Sequence, residues 1–258
     1  MNDRTAMPAD VSWVSTYRET GDVLVVHVDL TPQEVREDHA LSWLDRDERE
    51  RWHRYRYERP RREFALCRAA LRSLLCRQLG CRNEQLAFGA AGYGKPFALV
   101  GGAPASVSFN VSHSGRHGLV GIAPEGRLGV DVEERIPRFD IEGIGEFVFG
   151  PLERSDLARA KGSEQSRFFF NLWTLKEALI KALGTGFSLN PSVFEIPSDM
   201  RHGAKYGLFR FPHLPDVTWR LENLGNAEFA ATFAHELDPV PAQRMNGGED
   251  VRRSGQRT

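Results

Sequence analysis

The chain has 258 residues and a formal net charge of −1, with 27% charged and 41% hydrophobic residues. That length can bury a genuine core without disulfides, and the near balance of charge excludes both a globally basic nucleic-acid binder and an acidic solvating chain. Cys67, Cys76 and Cys81 form no CxxC spacing, which argues against a disulfide framework or zinc ribbon and for a reduced cytosol. The N-terminus lacks the basic-then-apolar order of a secretion signal, and no apolar run is long enough to cross a bilayer. The expectation is a cytoplasmic protein without a membrane span.

In chain order, DVLVVHVDL (Asp22 to Leu30) has the β-branched richness of a strand, and Thr31 and Pro32 supply start signals for a helix through Arg56. From Arg59, the positions Phe64, Leu66, Leu71, Leu74, Leu75 and Leu79 recur with helical spacing and end at Gly80, a C-terminal cap. Gly- and Ala-rich FGAAGYGKPFALVGGAPAS reads as loops around one short extended piece. SVSFNVSHSGRHGLVGIAPEGRLGVDVEE then reads as three short strands, with turns at Ser114 to Arg116 and Pro124 to Gly126.

Helices resume at DIEGIGEFVF, at PLERSDLARAK and at EQSRFFFNLWTLKEALIKALG, the last stopped by Gly184 and Gly186. YGLFRF, VTWRLENL and EFAATFAHEL read as strands of a terminal sheet, and the polar tail from Val240 reads as disordered. Helices mixed with antiparallel strands in each half predict an α+β protein: an N-terminal half over 1–120, a C-terminal half over 121–239 and a tail over 240–258.

Several short stretches could carry chemistry. In GVDVEE, Asp131 and Glu133 are two residues apart on one strand face, with Cα atoms about 6.6 Å apart, so they can converge on one hard cation or simply face water. Trp173, Glu177 and Lys181 fall on one helical stripe at about 6 Å of rise per step; a solvated Glu–Lys pair is the bland reading, and the tryptophan argues for a covered face. FNVSHSG puts Ser112, His113 and Ser114 at a strand end, as a polar turn or a phosphate cradle. GAAGYGK fits the GxxxxGK part of a P-loop, but Pro96 stands where a magnesium-binding hydroxyl belongs, leaving Lys95 as a simple phosphate contact. Eleven arginines between Arg46 and Arg77, interleaved with five acids, suggest a solvated helix face, a phosphate-rich ligand or nucleic acid.

Taken in order, GKP, FNVSHS, GVDVE and WTLKEALIKALGTG resemble the motif series of phosphopantetheinyl transferases of the surfactin-synthetase-activating (Sfp-like) type, across Gly94 to about Leu189. The resemblance implies a monomer of two similar α/β halves related by a pseudo-twofold axis, with coenzyme A and magnesium between them. It implies transfer of 4′-phosphopantetheine to a serine of an apo acyl- or peptidyl-carrier protein of fatty-acid, polyketide or nonribosomal peptide biosynthesis, releasing adenosine 3′,5′-bisphosphate.

By matching position, Asp131, Glu133 and Glu177 become magnesium ligands, and Glu177 is also a candidate base. Lys181 becomes a phosphate contact, and Lys95, Ser112 and His113 become coenzyme A contacts, with His113 assigned to the 3′-phosphate. Arg51 and Arg62 are chosen as further coenzyme A contacts, with Arg61 as an alternative to Arg62. IGEFVFG, with Phe147 and Phe149, is a candidate carrier surface or core. The competing expectations are a non-catalytic carrier-binding relative and an RNA-binding module using the Arg- and Tyr-rich segment.

Overall fold

The structure, a computed structural model, describes residues 11–135 and 140–237. The expected disordered tail lies outside the described residues. Chain order is β1 (Val14–Thr20), β2 (Val23–Asp29), α1 (Glu34–Trp43), α2 (Arg46–Arg54), α3 (Glu58–Leu79), β3 (Leu86–Ala90), β4 (Pro96–Val100), β5 (Ala103–Pro104), β6 (Ser108–Ser114) and β7 (His117–Ala123). There follow β8 (Leu128–Glu134), α4 (Ile141–Val148), α5 (Pro151–Arg159), α6 (Gly162–Leu183), α7 (Ser198–Arg201), β9 (Tyr206–Phe211), β10 (Leu214–Asn223) and β11 (Phe229–Leu237).

Two antiparallel sheets, ordered β1-β2-β7-β6 and β8-β11-β10-β9, each carry one long helix. α3 packs on β7, β6 and β2, and α6 on β8 and β11. Both helices have 22 residues and both end on a left-handed glycine, Gly80 at φ 63° and Gly184 at φ 75°. The two α/β halves that the resemblance implies are therefore visible as two sheet-plus-helix units. The change from one sheet to the other falls in the turn after Ala123, a few residues beyond the division expected at 120/121.

Each helix buries an apolar stripe. Leu66, Leu71 and Leu75 of α3 are at most 1% exposed, as are Leu172, Leu175 and Leu179 of α6; each such side chain contributes about 1.5–3 kcal/mol of burial. A third apolar cluster joins the sheets, with Val25 and Leu119 of the first meeting Val130, Val132 and Phe233 of the second. The valines of GVDVEE thus face the core between the halves, and the alternate positions Gly129, Asp131 and Glu133 turn to the other face.

Two local expectations are corrected, and one strand is added to them. The single helix expected from Thr31 to Arg56 is two, because Asp45 accepts from the Glu48 amide while the Glu48 carboxylate accepts from the Asp45 amide, a capping box that starts α2 afresh. The Gly- and Ala-rich stretch forms a β3–β4 hairpin extended by β5. VSTYRET forms an edge strand, β1, that its polar sequence did not announce.

The sheets meet at β6 and β8 without a continuous ladder. Alternate side chains of β6 accept alternate amides of β8: Asn110 Oδ1 from Val130 at 2.9 Å, Ser112 Oγ from Val132 at 3.4 Å and Ser114 Oγ from Glu134 at 3.2 Å. These amides point away from β11 and would otherwise be an unpaired edge. The period-two polar pattern of FNVSHS is the seam between the halves.

Candidate active site in the cleft between the halves

The acids of β8 lie against α6 because Gly129 allows it. A Cβ at Gly129 would overlap the main-chain carbonyl of Ala178 and the amide of Ala182, so only glycine lets this strand lie on this helix. Asp131 is 2% exposed. Its Oδ1 accepts from Lys181 Nζ at 2.6 Å and from Ser112 Oγ at 2.8 Å, and Ser112 Oγ accepts from Lys181 at 2.9 Å. Asp131 Oδ2 is buried and has no hydrogen-bond partner.

Glu133 Oε2 accepts from Ser114 Oγ at 2.7 Å. Burial, followed by the Asp131 charge, pushes its carboxyl up to about 6, against the hydrogen bonds from Ser114 and Trp173. Glu177 is raised as well, first by burial and then by Asp131, with Lys181 opposing. The Asp131 charge thus raises the proton affinity of both Glu133 and Glu177, and Lys181 is the cation that opposes it at each. As they stand, no three His, Cys, Asp or Glu side chains among the described residues converge closely enough to hold a metal ion.

Beside the acids a cleft of about 260 Å³ opens between the halves, lined by Gly94, Pro96 and Asn110 from the first and Glu177, Lys181 and Gly184 from the second. The structure thus brings Asp131, Glu133, Glu177, Lys181 and Ser112 together. His113, on the opposite face of β6 from Ser112, has its Nδ1 3.5 Å from Glu63 Oε2.

The lysine and arginine expectations fare differently. Lys95 extends past Gly184, where any Cβ would meet its Cδ at 2.8 Å, and donates to the carbonyls of Leu128 at 3.1 Å, Lys181 at 2.9 Å and Ala182 at 2.9 Å. It caps the C-terminal end of α6, where a cation is favoured, and also lines the cleft; burial lowers its pKa to about 8. The ammonium of Lys181, expected on phosphate, pairs with Asp131.

Arg62 is turned to the Leu30 carbonyl at 2.9 Å, and Arg61 to the Tyr55 carbonyl at 2.8 Å. Arg51 lies on α2 with its guanidinium 5.1 Å from the centre of the Phe64 ring. The arginine-rich stretch is not merely a solvated face, because Arg72 is 1% exposed and bridges Asp45, Glu48, Asn83 and the Leu86 carbonyl. Phe149 belongs to the core, whereas Phe147 is 78% exposed on α4.

Sequence reading missed Asn110 and Ser114 as seam residues, although their alternation was the available signal. It missed Glu63 as well, a lone acid within an arginine-rich helix.

Comparison with known proteins agrees with this geometry. The 4′-phosphopantetheinyl transferase superfamily profile matches residues 127–234, and the profile of the N-terminal region of 4′-phosphopantetheinyl transferase matches residues 29–125. A Synechocystis protein named as a 4′-phosphopantetheinyl transferase is 37% identical over 186 residues, 70% of this chain and 71% of its own. The Bacillus subtilis 4′-phosphopantetheinyl transferase Sfp is 28% identical over 171 residues, covering 66% and 74% of the two chains. The Xenopus laevis L-aminoadipate-semialdehyde dehydrogenase-phosphopantetheinyl transferase is 28% identical over 223 residues, covering 79% and 72%. With two sheet-plus-helix halves, a cleft between them and relatives matched across both, the chain belongs to the 4′-phosphopantetheinyl transferase superfamily.

Proposed function

We propose that the protein is a magnesium-dependent transferase that moves the 4′-phosphopantetheine of coenzyme A onto a serine of an apo acyl- or peptidyl-carrier protein. The observation that carries the magnesium part is the buried, unpartnered Oδ2 of Asp131 beside two carboxyls with raised pKa values. Three hard oxygen donors suit magnesium, so Asp131, Glu133 and Glu177 would hold it. When bound there, it would offset the charge of the coenzyme A pyrophosphate.

The chain's own residues do the rest. The carrier serine oxygen bonds to the phosphorus on the pantetheine side, the phosphoanhydride bond breaks, and adenosine 3′,5′-bisphosphate leaves with the electron pair. Glu177 takes the serine proton. Lys181 moves its ammonium between Asp131 and ligand phosphate, and Ser112 keeps Asp131 Oδ1 aligned through its hydrogen bond. His113 and Arg51 reach the adenosine phosphate from the first half, and Lys95 supports the site by capping α6.

Exposed Phe147 offers the carrier an apolar contact. The protein works as a monomer in the cytoplasm, without nucleic acid; no helix among the described residues is long and apolar enough to cross a membrane. Incubating it with coenzyme A, magnesium and apo carriers of several types should add the mass of one phosphopantetheine to at least one of them. Absence of that mass on every carrier would refute the transferase reading.

A further inference from the structure

We infer that Glu63 is a positioning residue for the coenzyme A site, acting through His113; this rests on the reading of His113 as a contact to the 3′-phosphate. Glu63 lies on α3 with only 9% of its side chain exposed. A covered carboxylate is costly unless its oxygens are used. One oxygen accepts from Arg59 Nε at 2.7 Å, one turn earlier on the helix. The other oxygen faces His113 Nδ1 across the gap to β6 at 3.5 Å.

His113 itself is open, with 45% of its side chain exposed. A carboxylate beside Nδ1 keeps a proton on that nitrogen and fixes the plane of the ring, which turns the Nε2 edge outward. A phosphate arriving on the far side then meets a ring held in place by the carboxylate behind it. Burial first, and also the cations Lys181 and Arg59, lower the pKa of the ring, and Glu63 is the acid that opposes them.

The test compares coenzyme A with 3′-dephospho-coenzyme A in steady-state kinetics of the full chain, using wild type, His113→Ala, Glu63→Gln and Glu63→Asp. Loss of one charge-assisted contact predicts a rise of about tenfold in KM for coenzyme A in Glu63→Gln, with the kinetics on 3′-dephospho-coenzyme A close to wild type. Glu63→Asp, which keeps the charge, should recover part of the preference for the 3′-phosphate. If Glu63→Gln raises KM for both substrates equally, or for neither while His113→Ala loses the preference, the inference is overturned. If His113→Ala leaves the preference intact, the reading of His113 fails instead. Thermal melts identify a misfolded Glu63→Gln protein, in which case a wild-type preference ratio in Glu63→Asp at every magnesium concentration overturns the proposal and a reduced ratio supports it.

Discussion

Two lysines five residues apart on α6 have opposite surroundings. Lys176 is fully buried and all of its donors are used, on the carbonyls of Pro191 at 2.7 Å and Phe194 at 2.6 Å and on Glu153 Oε2 at 2.7 Å. Glu153 in turn accepts from the amides of Gly150 and Ile196. Lys181 is partly open, and its partner Asp131 keeps one buried oxygen without a partner. The first arrangement is closed and holds α5 and the following loop to the helix. The second is short of a cation and is therefore suited to taking one.

That contrast can be broken from either side. The largest effect is expected at Glu177: Glu177→Gln should lower kcat by about 10²–10⁴-fold while coenzyme A binding stays measurable by calorimetry, and near-normal turnover would remove Glu177 as the base. Asp131→Ala should abolish magnesium-stimulated transfer with little loss of Tm, and an unchanged magnesium titration would count against the β8 site. Lys176→Met should do the reverse, costing about 3–5 kcal/mol in denaturant unfolding by stranding buried Glu153, while the folded fraction keeps its specific activity. Lys95→Ala strands three carbonyls and should cost about 1–3 kcal/mol; a raised KM for coenzyme A with unchanged stability would mark it as a phosphate contact instead.

The smallest effect is one of pH. His27 Nε2 and His117 Nδ1 are 3.0 Å apart where the halves meet, and both have lowered pKa values, chiefly through burial and, for His27, also through His117. The unfolded imidazoles take up protons near 6.5, whereas the folded ones resist them. Stability should therefore decline as pH falls below 6.5, and His27→Gln should flatten that acid limb in pH-dependent melts.

Much of this was legible in the sequence because it is periodic. Alternation separated Val130 and Val132 from Asp131 and Glu133, and the four-residue step put Trp173, Glu177 and Lys181 on one stripe. Gly80 and Gly184 marked both long helices, since left-handed residues favour glycine there. The clamp made by Lys95 was not legible, because its acceptors are backbone carbonyls up to 87 residues away and any sequence supplies carbonyls. The inward turn of Arg62 and Arg72 escaped notice for a related reason: in a run of arginines only tertiary partners tell a ligand contact from a scaffold. The break before α2 was readable in Asp45 and Glu48, but the helical run on either side hid it.

The seam of Asn110, Ser112 and Ser114 has a consequence for how activity arises. Ser112 and Ser114 bind the amides of β8 and also the carboxylates that β8 carries. Joining the halves and aligning the acids are therefore one event. Whatever loosens the contact between the halves therefore also displaces Asp131 and Glu133 from the positions these hydroxyls give them.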